Sequence, residues 1–496
     1  MQLQQPIQFQ QIQTLTINYM NQNIVYLKVI QNKNKTKKKK VGIRALVTAS
    51  QFKKMNYLKM LNELIPELET SKSKELKNSK FPKLKYIIKI EDSPTQNMIN
   101  FKSLMQIPKK EDFSKINKIL KNTSPDDITN IQFTSGTTGR PKGASLTHFN
   151  ILNNGYYIAD RLGLNSQDKI CLSVPLYHCF GMVIGNLCAL NFGATIVINS
   201  EGFSAQKTLE AITKYKCTTL YGVPTMFYEY IKEYEAYPHQ YNINSLNKGV
   251  MAGSLCPQVL MEKLKNQWNI KDLQICYGMT ETSPVSFQTS KTDSLEDSCS
   301  TVGQILPHLE SKLINKKGKI VPRGEIGEIY IRGYSVMQKY WDDIKKTNET
   351  IDINSWIKTG DLGKMDERGY MQIVGRSKDI IIRGGENIYP KEIEEYLRKI
   401  PKIMDVQIVG IPNKKYGEEI FCLIILNPNV YFDKQEVYEF CNRKIAYFKV
   451  PKYVKIVDQF PLTVTGKPQK FIIVNDLIKE MDGNEHNLLK YQIREY

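Results

Sequence analysis

No apolar run in this chain approaches the roughly 20 residues that a membrane-crossing helix needs, so no transmembrane helix is expected. Neither a Cys-x-x-Cys pair nor a His-rich partner spacing accompanies the nine cysteines. Scattered mostly through apolar stretches such as Ile170-Cys-Leu-Ser-Val174, they read as buried reduced thiols, not a zinc or disulfide framework. Also missing are an RNP-like aromatic pair, a helix-turn-helix cue and a zinc finger. The net charge of +19 is therefore no argument for nucleic acid. The lysines are spread along the chain with asparagine and isoleucine, and the one dense run, Lys33 to Lys40, lies in a Gln- and Asn-rich stretch. Met1 to Gln13 holds no arginine and no amphipathic basic pattern, so no transit peptide is visible. What the composition does allow is two or more cores, since the chain has 496 residues and is 41% hydrophobic.

Against these absences stands Ile131 to Ala144, where a β-branched, apolar lead-in opens into glycines, hydroxyls and one lysine. Gly136, Gly139 and Gly143 let a backbone turn and approach a polyphosphate closely. Thr134, Ser135, Thr137 and Thr138 offer hydroxyl donors, and Lys142 brings mobile positive charge. A Walker A loop does not fit, because Pro141 separates Arg140 from Lys142 and Gly143 stands where its magnesium-binding hydroxyl belongs. The bland reading is a hairpin loop rich in small residues.

Four further constellations reduce that reading: Gln274 to Pro284, Trp356 to Asp361, Gly375 to Pro390, and Pro461 to Lys470. In this order and spacing the five motifs resemble the AMP-forming adenylate family, which comprises acyl-CoA synthetases, amino-acid adenylation domains and luciferases. The match runs from about Val41 to about Asp476, and the wording of Val41–Glu67 and Thr134–Thr147 most resembles medium-chain acyl-CoA synthetases.

From Ile131 the sequence alternates short apolar runs with stretches of helical period. Helices are expected over Leu146–Leu164, Phe180–Asn191, Ala205–Tyr215, Met226–Tyr234 and Pro257–Trp268, and strands over Lys169–Pro175, Ala194–Ile198, Cys217–Val223, Gly249–Ala252 and Leu273–Tyr277. Repeated βα units imply an α/β fold with parallel, helix-covered sheets. Short strands punctuated by Gly, Pro and Asp between Thr301 and Val374 suggest a small antiparallel barrel. From about Ser377, hairpin strands (Val406–Ile411, Ile420–Leu426) with helices near Pro390–Ile400 and Lys434–Ile445 suggest a separate, mobile α+β domain. The expected division is a low-complexity, disordered N-terminus over 1–40, an AMP-binding domain over 41–375 and a C-terminal α+β domain over 376–496. Relatives usually carry on the order of a hundred more residues before Val41, so the first βα units are expected to be missing, leaving an unpaired sheet edge.

Joining a carboxylate to the α-phosphorus of ATP brings two anions together, and the site must neutralise both. The resemblance implies that Lys142 and the hydroxyl loop hold the β- and γ-phosphates, Thr280 the α-phosphate, and Glu281 a Mg²⁺ ion. Tyr277 would stack on adenine beside Gly278, with Gly253 and Ser254 opposite. Asp361 would take the ribose hydroxyls and Arg376 would touch the same sugar. Lys467 would reach the charge developing between the carboxylate and the α-phosphate. Lys378 would sit at the interdomain hinge, and Gly384, Gly385, Glu386 and Asn387 would line the CoA channel. The aspartate that amino-acid-activating relatives place near Pro175–Met182 is lacking. Phe180, Gly181, Met182, Val183 and Leu187, with Val223 to Phe227, instead offer apolar acyl surface, and His178 would be its wall or gate. The expectation is an ATP- and CoA-dependent fatty acyl-CoA ligase acting on small molecules, in the mitochondrial matrix by resemblance or in the cytoplasm. Alternatives are an aryl-acid ligase, a luciferase-like member, or an inactive truncated paralogue acting as a binding protein.

Overall fold

The computed structural model describes residues 42–493 except 53–54, 71–73, 92, 94, 96, 106–109, 135–141, 254–255, 463–466 and 483. The N-terminal 1–40 segment expected to be disordered lies outside the described residues. No helix among the described residues is long and apolar enough to cross a membrane. All nine cysteines are buried thiols.

The chain divides into two compact units. The first comprises Met1–Ala252, Lys263–Ser286 and Tyr334–Glu349. Its first layer is a parallel sheet of β1 (Ala45–Thr48), β2 (Tyr86–Lys89) and β3 (Ile99–Asn100), in that order. The alternation within β1 and β2 sends Leu46 and Ile87 into a core with Tyr57, Leu61 and Leu64. Next come β4 (Ile128–Thr134) and β5 (Lys142–Thr147), paired antiparallel with Thr134 opposite Lys142. The glycine-hydroxyl run therefore joins two strands of a hairpin, and a short strand, Lys339–Tyr340, adds to β5 with Tyr340 opposite Ala144.

Helix α1 (His148–Leu162) begins two residues later than its apolar period suggests, because Lys142–Thr147 is held in the hairpin. Thr147 and Asn150 then start it with reciprocal side-chain to backbone hydrogen bonds, and Gly163, at φ 64°, ends it in the left-handed conformation that glycine adopts without penalty. Five strands follow: β6 (Lys169–Cys171), β7 (Thr195–Val197), β8 (Thr219–Gly222), β9 (Lys248–Ala252) and β10 (Asp272–Gly278). They form a parallel array in the order β7-β6-β8-β9-β10. All four residues of β8 are buried, as expected of a strand covered on both faces. Helix α2 (Ala205–Tyr215) is capped by Ser204, and α3 (Pro224–Ala236) starts on proline. The helix expected over Phe180–Asn191 is present but opens as a wide π-helical stretch, Phe180–Leu187, before tightening at Cys188–Phe192.

The second unit comprises Gly253–Glu262, Phe287–Gly333 and Thr350–Tyr496. The segment read as a small barrel contributes an antiparallel sheet of β11 (Leu309–Ile314), β12 (Ile326–Gly333), β13 (Ile357–Met365) and β14 (Met371–Arg376), in that order. Strands β15 (Ile381–Arg383) and β16 (Glu386–Ile388), helix α4 (Pro390–Leu397), the long pair β17 (Ile403–Asn413) and β18 (Gly417–Leu426), a helix over Gln435–Cys441, strand β19 (Tyr453–Ile456) and helix α5 (Lys470–Met481) also belong to it. Strict alternation along β18 gives this last part cores of its own. Ile420, Cys422 and Ile424 join one apolar cluster, while Phe421 and Leu423 join another. The division expected after Gly375 falls inside this unit.

Candidate active site

In the first unit, the β4–β5 hairpin sets the two ends of the glycine-hydroxyl run. Ser135, Gly136, Thr137, Thr138 and Gly139 lie outside the described residues, but the flanks are defined. The Thr134 hydroxyl is buried with no hydrogen-bond partner among the described residues, a group left for a ligand or the run itself to satisfy. Lys142 crosses to Tyr340, its Nζ 3.5 Å from the phenol oxygen and 4.8 Å from the ring centre. The phenol in turn donates to Glu281 Oε1 at 2.7 Å. Burial holds the Lys142 ammonium below the ordinary lysine range, an effect that the Glu281 charge opposes. A carboxylate, a phenol and an amine thus form one chain beside the run.

Glu281 is 5% exposed and sits just beyond the carboxyl end of β10, where ligand sites in parallel sheets gather. The turn that carries it is rigid. A side chain at Gly278 would start 1.8 Å from the Pro284 carbonyl. Thr282 bonds Met279 and the Pro284 carbonyl, and Asn154 of α1 exchanges two hydrogen bonds with Val285. Tyr277, at the strand end, is partly exposed.

The segment that carries the residues expected at the acyl side reaches the same turn through Cys179, whose Sγ lies 3.7 Å from the Thr280 hydroxyl. His178 Nδ1 accepts the Phe180 amide at 3.1 Å, which leaves the proton of a neutral ring on Nε2. At Gly181 an added Cβ would meet the Pro175 carbonyl at 2.3 Å, so the wide helical stretch packs directly on the loop before it. The Met182 sulfur accepts weakly from Asn130 and Gln132 of β4, at 3.4 and 3.7 Å. Phe180 is buried with its ring 6.1 Å from Tyr221, and Phe227 is fully buried.

The second unit holds the remaining residues. Asp361 and Arg376 are direct partners across β13 and β14, with Arg376 Nε 3.0 Å from Asp361 Oδ1. Asp361 is 8% exposed, and Glu328 accepts the neighbouring Gly360 amide at 3.2 Å. Burial raises the Glu328 carboxyl above its ordinary value. Gly253, at φ 93°, follows β9, while Ser254 is not described. Lys378 lies in the short turn Ser377–Asp379. Gly384 and Gly385, at φ 57° and 87°, turn β15 into β16, pairing Arg383 with Glu386 and Ile382 with Asn387. A buried Arg383–Glu419 ion pair at 2.8 Å anchors that hairpin. Lys467 is half-buried beside the bridge that links Leu462 to Pro468.

Tyr340, Asn130 and Glu328 are neighbours of these residues that the sequence motifs do not contain. Tyr340 reaches Glu281 only because its two-residue strand adds to β5, a pairing between residues almost 200 positions apart that no local pattern announces.

The fold is that of the AMP-binding, adenylate-forming enzymes. The AMP-binding enzyme family pattern matches residues 38–341, and that of the AMP-binding enzyme C-terminal domain matches residues 392–467. The chain belongs to this family. A mitochondrial medium-chain acyl-CoA ligase of Danio rerio is 43% identical over 435 residues, which is 87% of this chain and 71% of that protein. The Homo sapiens protein of the same name is 41% identical over 439 residues, with the same two shares. Among solved structures, an anthranilate CoA ligase in complex with anthranoyl-AMP superposes with a TM-score of 0.75 at 24% identity, covering 89% of this chain and 79% of that one. The o-succinylbenzoate CoA synthetase of Bacillus subtilis, in complex with its acyl-adenylate, gives 0.66 at 23%, covering 96% and 94%.

Proposed function

We propose that this chain is an ATP-dependent acyl-CoA ligase that activates a medium-chain fatty acid. One carboxylate oxygen attacks the α-phosphorus of ATP, the bond to the β-phosphate breaks and pyrophosphate leaves. The CoA thiolate then attacks the acyl carbon, and AMP departs. The observation that carries this reading is the identity of 41–43% over 87% of the chain with medium-chain acyl-CoA ligases, together with the site residues standing in matching motifs.

Lys142 and the hydroxyls of Thr134 and its loop hold the β- and γ-phosphates, and the Thr280 hydroxyl holds the α-phosphate. Tyr277 takes the adenine, and Asp361 with Arg376 the ribose. Lys467 stabilises charge at the reacting carboxylate, Lys378 is the hinge, and the Gly384–Asn387 hairpin admits the CoA arm. His178, Phe180, Gly181 and Met182 wall the acyl side. Magnesium commonly takes one or two carboxylates plus substrate phosphates. Glu281 fits that donor set: it is a buried carboxylate with a phenol donor on Oε1, next to the phosphate-binding lysine. The ion, when bound, neutralises phosphate charge. The compartment proposed is the mitochondrial matrix, after the relatives.

A pyrophosphate-release panel with CoA across C4 to C16 acids tests the substrate. Catalytic efficiency is expected to rise with chain length by up to about 0.8 kcal/mol per methylene and then fall once the pocket is full. A flat profile, or a preference for aryl or amino acids, overturns the medium-chain assignment.

A further inference from the structure

Helix α4 holds a lysine where local chemistry disfavours one. Lys391 is its second residue, at the end of a helix that favours anions, and its side chain is only 15% exposed. Burial holds its ammonium below the ordinary lysine range. Its Nζ donates to the Ile373 carbonyl of β14, and Glu395 one turn on lies 3.5 Å away. The Lys391 charge also reaches the buried Cys256, whose thiol burial pushes up to about 12 while that charge pulls the other way.

Three further polar side chains of α4 hold it to residues that follow it. Glu392 pairs with Lys449 at 2.6 Å. Glu394 pairs with Lys470 at 2.6 Å and accepts the Ile408 amide. The Tyr396 hydroxyl donates to the Phe440 carbonyl. Lys391 instead reaches backward past Lys378, to a strand that precedes it. Burying an amine is costly without a dedicated acceptor, and that acceptor is a β14 carbonyl.

We propose that Lys391 is a latch, a positioning residue that holds α4 against β14 in one arrangement of the chain about Lys378 and releases it in the other. This rests on the two-step reaction proposed above, in which the C-terminal part presents different residues to each half-reaction. An interaction made in one state only shifts the balance between states by its own differential free energy. Loss of the latch therefore handicaps one half-reaction and spares or favours the other.

The test has two arms. In the first, the full chain is labelled with a water-soluble acetylating ester at pH 8 and quantified by mass spectrometry. It is labelled ligand-free, with a non-hydrolysable sulfamoyl analogue of a medium-chain acyl-adenylate, and with that analogue plus CoA. Lys391 is expected to label at least about tenfold more slowly than the 80% exposed Lys479 in one condition, and to gain several-fold in another. Labelling as fast as Lys479 throughout, or an identical slow rate throughout, overturns the latch, whatever the enzyme does with fatty acids. In the second arm, Lys391→Met and Lys391→Arg are assayed separately for adenylate formation and for CoA transfer from supplied acyl-adenylate. The Met variant is expected to lose about tenfold in one half-reaction only, with Arg restoring most of it. Equal loss in both, or no loss in either, overturns the proposal. A wild-type chain that adenylates no acid removes the functional reading, and the ligand-free labelling still judges the contact.

Discussion

The phenol of Tyr340 donates to the buried carboxylate of Glu281 at 2.7 Å while the Lys142 ammonium lies 3.5 Å from the same oxygen. One hydroxyl thus orients the proposed metal-binding carboxylate and separates it from the proposed phosphate-binding lysine. With the phenol removed, Glu281 and Lys142 are left to pair directly.

Tyr340→Phe is therefore expected to raise the KM for Mg·ATP by roughly tenfold, in line with the ~1.5–3 kcal/mol attached to hydrogen bonds on charged groups. The shift should shrink as total Mg²⁺ is increased. Pyrophosphate release titrated against ATP at several Mg²⁺ concentrations reads this directly. An unchanged KM would mean that Glu281 does not depend on its phenol.

The depressed Lys142 gives a pH signature. A lysine whose folded pKa is lowered loses its proton earlier than the same group in an unfolded chain, so the active cation disappears below the ordinary 10.5. The alkaline limb of kcat/KM for ATP should accordingly fall below that value, because kcat/KM reports the free enzyme. With nucleotide bound, phosphate charge favours the ammonium, and the limb in kcat should move up. Lys142→Arg, always charged, should remove the limb even where it lowers the rate. A limb that persists unchanged in the Arg variant assigns it to another group.

Gly278→Ala tests the rigid turn. The added carbon would sit 1.8 Å from the Pro284 carbonyl, a backbone atom that cannot step aside alone. The turn carrying Tyr277, Thr280 and Glu281 must shift, and misplacement by about 1 Å can cost on the order of 100-fold in rate. Adenylate formation should fall by that order, while CoA transfer from supplied acyl-adenylate falls less. Wild-type adenylation by this variant would show that the turn tolerates displacement.

Much of this was legible in the sequence because the informative patterns are local. The βα alternation follows side-chain period, and the β17–β18 pair follows strand alternation around a polar turn. The start of α2 is written in Ser204. The second strand of the hairpin that carries the glycine-hydroxyl run is not written in its own pattern: Leu146 and Thr147 fall in with the apolar period of α1, and Lys142–Ser145 shows no strand alternation. Its identity rests on the register of Thr134 with Lys142. The Asp361–Arg376 contact, by contrast, follows from two motif residues falling opposite one another across a sheet. The Tyr340–Glu281 bond and the Lys391–Ile373 contact depend on tertiary placement alone, so no spacing foretells them.

The two proposed motif sites of the C-terminal part should separate the half-reactions. Lys467 is expected to serve adenylate formation, and the Gly384–Asn387 hairpin to serve thiolation. Blocking the hairpin calls for a substitution that leaves its backbone intact. Gly384 and Gly385 are in left-handed conformations that side chains rarely adopt, so a bulky residue there would confound obstruction with strain. Asn387 is exposed and lies in an extended strand position opposite Ile382, where a large side chain is accepted. Asn387→Trp should thus slow CoA transfer by tenfold or more and leave pyrophosphate release in the absence of CoA near wild type. Lys467→Ala should do the reverse, losing on the order of 100-fold in adenylation, as removal of one preorganised electrostatic contact does elsewhere, while still thiolating a supplied acyl-adenylate. If both variants, with unchanged thermal midpoints, lose both half-reactions equally, a single fixed arrangement serves both steps and the alternating use of the C-terminal part is wrong.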